Sequence, residues 1–490
     1  MKDTAKLEIS VIAIAFCLGI LGDTLLRGNS WGLNFASWGC AFAVSIAFLG
    51  RFRGEVLNEG GEWLLVLIVL SFLTFLWRDS TALKGLSVLA LLTSSSLLVL
   101  RGQGGSLRVS GFAEYALSAV IAGMNSTFGM FPLLFGAREW KKSLNGEPLR
   151  AAALLRGVLF SLPPLLIFGA LLAGADAVFK TIVGRIFNFD LSHVVVVSFI
   201  AFGAGGYLRG LLFGKELKLA DRLRVSPPSL GTPEMTIVLG LLDLLFLAFV
   251  VVQFRYFFGG SALVHATTGL TYAEYTRRGF FQLLAVAGLL LPFLLIVHWL
   301  LPPTDTPGQR MFKWLAGFQI ALLFIIMASA LQRMRLYQAE YGLSELRLYP
   351  TAFMVWLAVV FVWFCLTVLR GHRERFAFGA MTAGFLLVAT LHVINPDALI
   401  AQINMERARA GHPFDADYGA SLSADAVPEI VAGLPALKPA DRSKLAKELL
   451  DRWSSAPPGW RSWTISSAQA RQAVMANAPT LREMSVKTAR

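Results

Sequence analysis

The chain is poor in charge, in cysteine and in the short motifs that carry known chemistry. Only 15% of its 490 residues are Asp, Glu, Lys or Arg, against roughly 25% in soluble globular proteins, so an ordinary water-solvated surface is excluded. The three cysteines, Cys17, Cys40 and Cys365, fall inside apolar runs without CxxC spacing. That excludes a disulfide framework or a zinc site and leaves them as packing residues. Six scattered histidines show neither HExxH nor any paired-ligand spacing, so no metal is expected. The glycine-rich run Gly203–Gly210 lacks the following Lys-Ser/Thr of a phosphate loop. Gly206 and Gly210, four apart, read instead as close helix packing. There is no nucleotide fingerprint and no GxSxG in a strand-to-helix setting. No cofactor is expected, and the reading leans away from an enzyme.

What is present is hydrophobicity, at 56% of residues. Runs of about 20 apolar residues are long enough to cross a bilayer core. They fall at 8–26, 32–50, 62–77, 81–100, 155–176, 192–213, 235–254, 280–301, 313–334, 351–370 and 376–396. Trp77, Trp299 and Trp314 sit at run ends, where interfacial anchoring is expected. The first run follows Met1-Lys-Asp-Thr-Ala-Lys6 without a small-x-small cleavage site, which reads as an uncleaved first span. The fold class is all-α: a polytopic transmembrane helical bundle of about 11–12 spans with a small helical C-terminal tail outside the membrane. The expected divisions are a four-span segment (1–110), an interfacial or re-entrant segment with a basic loop (111–150), a membrane domain (151–396) and the tail (397–490).

The formal charge is +13, and its Lys and Arg lie mostly in short connections between runs. The partner this implies is a bilayer containing anionic lipids, not nucleic acid. Segment 112–135 decides the topology, because it is apolar yet carries Glu114, Asn125, Ser126 and a late Phe131-Pro132. If it does not span, fourteen basic residues fall in connections on one side and nine on the other. The positive-inside rule then places the N-terminus in the cytoplasm and the tail on the opposite face. On that face lie the 177–191 connection, the 255–279 stretch, the 335–350 connection and the tail.

The tail is nearly balanced, with 12 Lys and Arg against 10 Asp and Glu after residue 396. Ser423-Ala-Asp-Ala-Val-Pro-Glu429 reads as a capped helix start, Pro439-Ala-Asp-Arg442 opens another helix toward Trp453, and Ser467-Ala-Gln-Ala-Arg471 a third. Trp453, Trp460 and Trp463 are the expected apolar anchors. The tail offers a possible docking surface for a protein partner.

Two places concentrate polar groups against this background. Asp243 sits inside the run Ile237–Val250, where a carboxyl costs about 2.5–3.5 kcal/mol to insert. It is either a proton or cation relay or a neutral acid hydrogen-bonded across a helix interface, with Gln319 and Arg209 as candidate partners. The second place is a polar rim of Arg255, Tyr272, Glu274, Arg277, Arg278, Tyr337, Tyr341, Glu345 and Arg347. Glu274 precedes Arg277 and Arg278 by three and four residues, which suits helical ion pairing. Tyr337 and Tyr341 share a helical face, Gly342 can end that helix and Ser344 can begin the next. Such a rim either snorkels to headgroups or binds an anion through its arginines. His392 and Asp397 flank Asn395-Pro396 and read as a helix-end device.

The ordered series Arg255-Tyr-Phe-Phe-Gly-Gly260, Leu270–Phe281, Tyr341-Gly-Leu-Ser-Glu-Leu-Arg347 and Asn395-Pro-Asp-Ala-Leu-Ile400 resembles a bacterial family of polytopic membrane proteins described only as a domain of unknown function. Asp417–Pro428 and Trp460-Arg-Ser-Trp463 are similar to it as well, so the likeness covers residues 150–470. The resemblance implies a bacterial inner-membrane location and a multi-span helical fold, and it implies no activity. Three functions stay open: a secondary transporter or permease, an envelope enzyme binding an anionic lipid-linked substrate at the outer face, and a non-catalytic scaffold or signalling protein.

Overall fold

The computed structural model describes residues 2–52, 56–58, 60–108, 111–135, 168, 172, 176, 191–214, 231–268, 272–302, 305–455 and 459–486. Within these, the side chains of 2–5, 191, 254–268, 272–278 and 486 are not described. Among the described residues all regular structure is helical. The chain divides into two compact units, residues 1–107 with 113–219 and 457–465, and residues 108–112 with 220–456 and 466–490.

The first unit is built from α1 (Lys2–Leu26), α2 (Leu33–Gly50), α3 (Gly61–Trp77), α4 (Thr81–Gly102), α5 (Phe112–Phe128), α6 (Met130–Phe135) and α7 (Leu191–Phe213). Small residues set its geometry. A Cβ added at Gly19 on α1 would lie 2.5 Å from the Val197 carbonyl of α7, so only glycine permits this approach. Gly206 backs onto the Asn125 and Ser126 carbonyls of α5, and Gly210 onto the Asn125 side chain at 2.5 Å. The glycine run is therefore a packing surface, as its spacing suggests. Segment 112–135 is not one helix, being broken at Gly129, whose missing Cβ faces the Gly206 backbone.

One end of this unit is tied by polar groups. Asn34 accepts from the Gly32 and Phe35 N–H groups and donates to the Leu25 carbonyl, joining α1 to α2. Beside it the tail residues Trp460–Ser462 form a short 3₁₀ turn, and the Leu33 N–H donates to the Trp463 carbonyl at 2.9 Å. Trp460 and Trp463 remain exposed. The strap is therefore held to α2 through its backbone and not through its tryptophan rings, whereas Trp453 is buried in the tail's own core. The difference from the sequence expectation arises because 457–465 leaves the tail helices and packs on the first unit.

The second unit contains α8 (Thr232–Thr268), α9 (Tyr272–Leu300), α10 (Thr306–Tyr341), α11 (Glu345–Thr367) and α12 (Phe376–Ile394). The tail follows as α13 (Pro396–Arg409), α14 (Ala416–Ser421), α15 (Val427–Gly433), α16 (Pro439–Trp453), α17 (Ile465–Ala476) and α18 (Ala478–Val486). Two of the three expected tail helix starts are present, and the third helix begins at Ile465, two residues before the expected Ser467. The Ser423 hydroxyl accepts from the Asp425 N–H at 3.3 Å, α16 opens at Pro439, and α17 contains Ser467. The tail core of Ile400, Met405, Ile430, Leu445, Leu449 and Val474 also takes in Leu343 from the α10–α11 turn.

Among the described residues nine helices are long and apolar enough to cross a membrane, with α3 as a shorter tenth. The expected span 155–176 lies outside the described residues, apart from isolated positions. The chain is a multi-pass helical membrane protein.

Candidate functional site

α8 and α10 run parallel, because α9 returns the chain between them. Two contacts fix their register. The Thr232 hydroxyl donates to the Asp305 carboxylate at 2.5 Å at one end. Further along, Gln253 Oε1 accepts from the Ser329 hydroxyl at 2.7 Å and from Arg333 Nη2 at 2.6 Å. The facing stripes are otherwise apolar. α8 contributes Met235, Leu239 and Val250, and α10 contributes Phe312, Ala316, Leu323, Ile326 and Ala330.

Asp243 and Gln319 interrupt those stripes. Asp243 is ten residues before Gln253, and Gln319 is ten before Ser329, so both lie at one depth. Asp243 is 5% exposed and Gln319 fully buried. Among the described residues, neither Asp243 oxygen nor either Gln319 amide atom has a hydrogen-bond partner. Buried polar groups are normally satisfied, and each orphan costs about 1–3 kcal/mol. The other candidate partner, Arg209, belongs to the first unit.

The polar rim is partly resolved into a defined node. The first two turns of α9 contain Tyr272, Glu274, Arg277 and Arg278, and α8 contains Arg255, all helical in backbone. Their side chains lie outside the described residues, as does the expected cap at Leu270-Thr271. Tyr337, Tyr341 and Arg347 come together, while Glu345 turns to the tail. The two tyrosine rings are 5.0 Å apart, and the Arg347 guanidinium lies 4.3 Å from the Tyr337 ring and 6.0 Å from that of Tyr341. Arg347 Nη1 also donates to the Tyr341 and Gly342 carbonyls at 3.0 and 2.5 Å. Its cation therefore neutralises the C-terminal end of α10 as well as stacking on tyrosines.

The tail completes this node. Asn404 on α13 accepts from the Leu343 N–H and donates to its carbonyl, both at 2.8 Å. Gly342 turns the chain with φ +78°, and a Cβ there would meet Asn404 Oδ1 at 2.5 Å. Arg407 donates to the Ala339 and Glu340 carbonyls, so a second cation covers the end of α10. Glu345 donates its N–H to the Tyr418 hydroxyl at 2.9 Å. A groove of about 890 Å³ opens beside them, lined by Tyr341, Arg347, Asn404, Arg407, Phe414 and Tyr418 among others. Asn395 acts as the expected helix-end device, in the left-handed region at φ 57° between α12 and α13, and His392 bonds within its own helix to the Val388 carbonyl.

Sequence reasoning did not find Asn404, Arg407 or Tyr418. They meet the 341–347 turn from about 60–70 residues away, and long-range pairing leaves no local periodicity to read. Gln319 is an expected partner of Asp243, but no hydrogen bond joins them among the described residues. No group of three or more His, Cys, Asp or Glu suited to a metal occurs among the described residues.

A polytopic membrane protein made of long apolar helices, with a helical tail clamped to one of its turns, is the class this architecture defines. The chain belongs to the family described as Domain of unknown function (DUF4153), whose model matches residues 64–433. No curated protein and no solved structure shows significant similarity to it.

Proposed function

We propose that the chain is a secondary transporter or permease whose coupling cation, a proton, binds at Asp243. The observation that supports this reading is the pair of unsatisfied side chains, Asp243 and Gln319, at one depth of a buried helix interface. Ionisable groups within spans mark ion and substrate pathways. A carboxyl with no partner in apolar surroundings must either hold a proton or accompany a cation, because an isolated charge there is far more costly than a hydrogen-bonded one. Gln319 supplies both an acceptor and a donor at the same depth, suited to a hydroxonium ion, a water or a polar solute. In this reading the protein resides in the bacterial inner membrane, N-terminus in the cytoplasm and tail outside, with anionic lipid around its basic connections.

The test is proton flux in liposomes carrying the purified full chain, with a potassium diffusion potential and an internal pH dye. Wild-type vesicles should acidify when the potential is imposed, and Asp243→Asn should lose most of that flux. Equal rates for the two proteins, or wild-type vesicles that behave as empty ones, would sink the reading.

A second reading, an envelope enzyme holding an anionic lipid-linked substrate, is favoured by one observation: the groove beside Arg347 and Arg407 also contains Lys444 and His412. Against it, both arginines are engaged with backbone carbonyls. The scaffold reading draws less support, since the tail's apolar side chains fill its own core.

A further inference from the structure

At the α11–α13 junction two carboxyl groups, Glu345 and Asp397, lie within hydrogen-bond reach of each other. Two ionised carboxylates have no proton to place between them, so this contact requires that one be protonated. Among the described residues neither group forms an ion pair with Lys or Arg. Asp397 is 1% exposed; its Oδ2 accepts from the Ser423 N–H at 3.3 Å and the Ser423 hydroxyl also bonds to the carboxyl, while among the described residues its Oδ1 is buried without a partner. Ser423 passes the contact on, its hydroxyl reaching Asp425 Oδ2 at 3.3 Å, and Asp425 Oδ1 accepts from the Ser466 hydroxyl at 2.5 Å.

We propose that Glu345 and Asp397 together form a proton-binding site that latches the tail to the start of α11. Protonated, the pair is a hydrogen bond between the membrane helix and α13. Deprotonated, it is two like charges, one of them buried. Among the described residues, the other titratable or charged groups around it are Arg347 on α11, His392 on α12, Tyr418 on α14, Asp425 before α15 and Arg452 on α16. Arg347 is held by the Tyr341 and Gly342 carbonyls, and Arg452 Nη1 reaches the Leu422 carbonyl at 3.3 Å. His392 is bonded within its helix, and the Tyr418 hydroxyl accepts from the Glu345 N–H.

Burial holds the Asp397 carboxyl above the usual carboxylate range, with Asp425 adding to the effect and the bonds from Ser423 and from Glu345 opposing it. A folded-state value above the unfolded one means that folding takes up a proton. The latch is therefore firmest in acid and weakens as pH rises through the raised value. An ordinary ionised helix cap would show the reverse dependence. The proposal is independent of the transport reading.

The test is hydrogen exchange of residues 396–421 in the full-length protein in nanodiscs, from about pH 5 to about pH 9, corrected for intrinsic exchange. Wild-type protection should fall as pH rises. Asp397→Asn should flatten the profile and give greater protection than wild type at the alkaline end, because an amide donates to Glu345 without a proton. Glu345→Gln should flatten it as well, and serves if the first variant does not fold. A wild-type profile independent of pH, or variants that lose protection throughout or keep the wild-type slope, would overturn the proposal.

Discussion

Two levels of the α8–α10 interface carry the same kinds of side chain and treat them oppositely. At the Gln253 level an amide oxygen takes two donors, Ser329 and Arg333, and a polar knot forms in an apolar seam. Ten residues earlier, Asp243 and Gln319 are as deeply buried and have no hydrogen-bond partners among the described residues. Burial is thus not what separates a structural polar group from a functional candidate here; satisfaction is. The lower-numbered level holds groups whose hydrogen-bonding capacity the fold has left available, and a transported ion or solute would supply what is missing.

The comparison can be broken most directly by making one substitution at both levels. Gln253→Leu should destabilise the protein by about 1–3 kcal/mol, since it removes the acceptor of a buried donor, Ser329, and of a half-buried one, Arg333. Thermal unfolding in detergent would show this, and an unchanged midpoint would mean that the knot carries no weight. Gln319→Leu should raise stability, by at most about 1 kcal/mol, because it removes an unsatisfied amide from an apolar seam. A clear loss at Gln319 would show that the two levels do not differ. Ser329→Ala is the smallest effect, a loss of roughly 0.5–1 kcal/mol. It sharpens the comparison by asking whether the Arg333 bond alone keeps Gln253 satisfied.

The helical membrane architecture was legible because each long apolar run between charged connections becomes a helix, and lipid permits little else. The ten described helices of spanning character coincide with ten of the expected runs. Helix ends were legible where chemistry marks them, as at Gly342, Ser423 and Pro439. The Tyr337–Tyr341 face was visible from its spacing of four, and the stacked Arg347 was in the expected set. What could not be read was the tail's hold on that turn, because the Asn404 and Arg407 contacts depend on how distant segments pack. The departure of Trp460 and Trp463 from the tail helices was hidden for the same reason. A tryptophan's apolar bulk does not say which surface will receive it.

The strap at 457–465 also imposes an order on biosynthesis. The start of α2 receives the Trp463 carbonyl, yet the two residues are separated by most of the chain. At about 5–20 residues per second of elongation, α2 waits on the order of 20–90 s in the membrane before its cap has even been translated. The first unit is therefore the earliest to be inserted and among the last to be finished. A ribosome that stops short of the strap leaves the Leu33 N–H at the start of α2 without this acceptor.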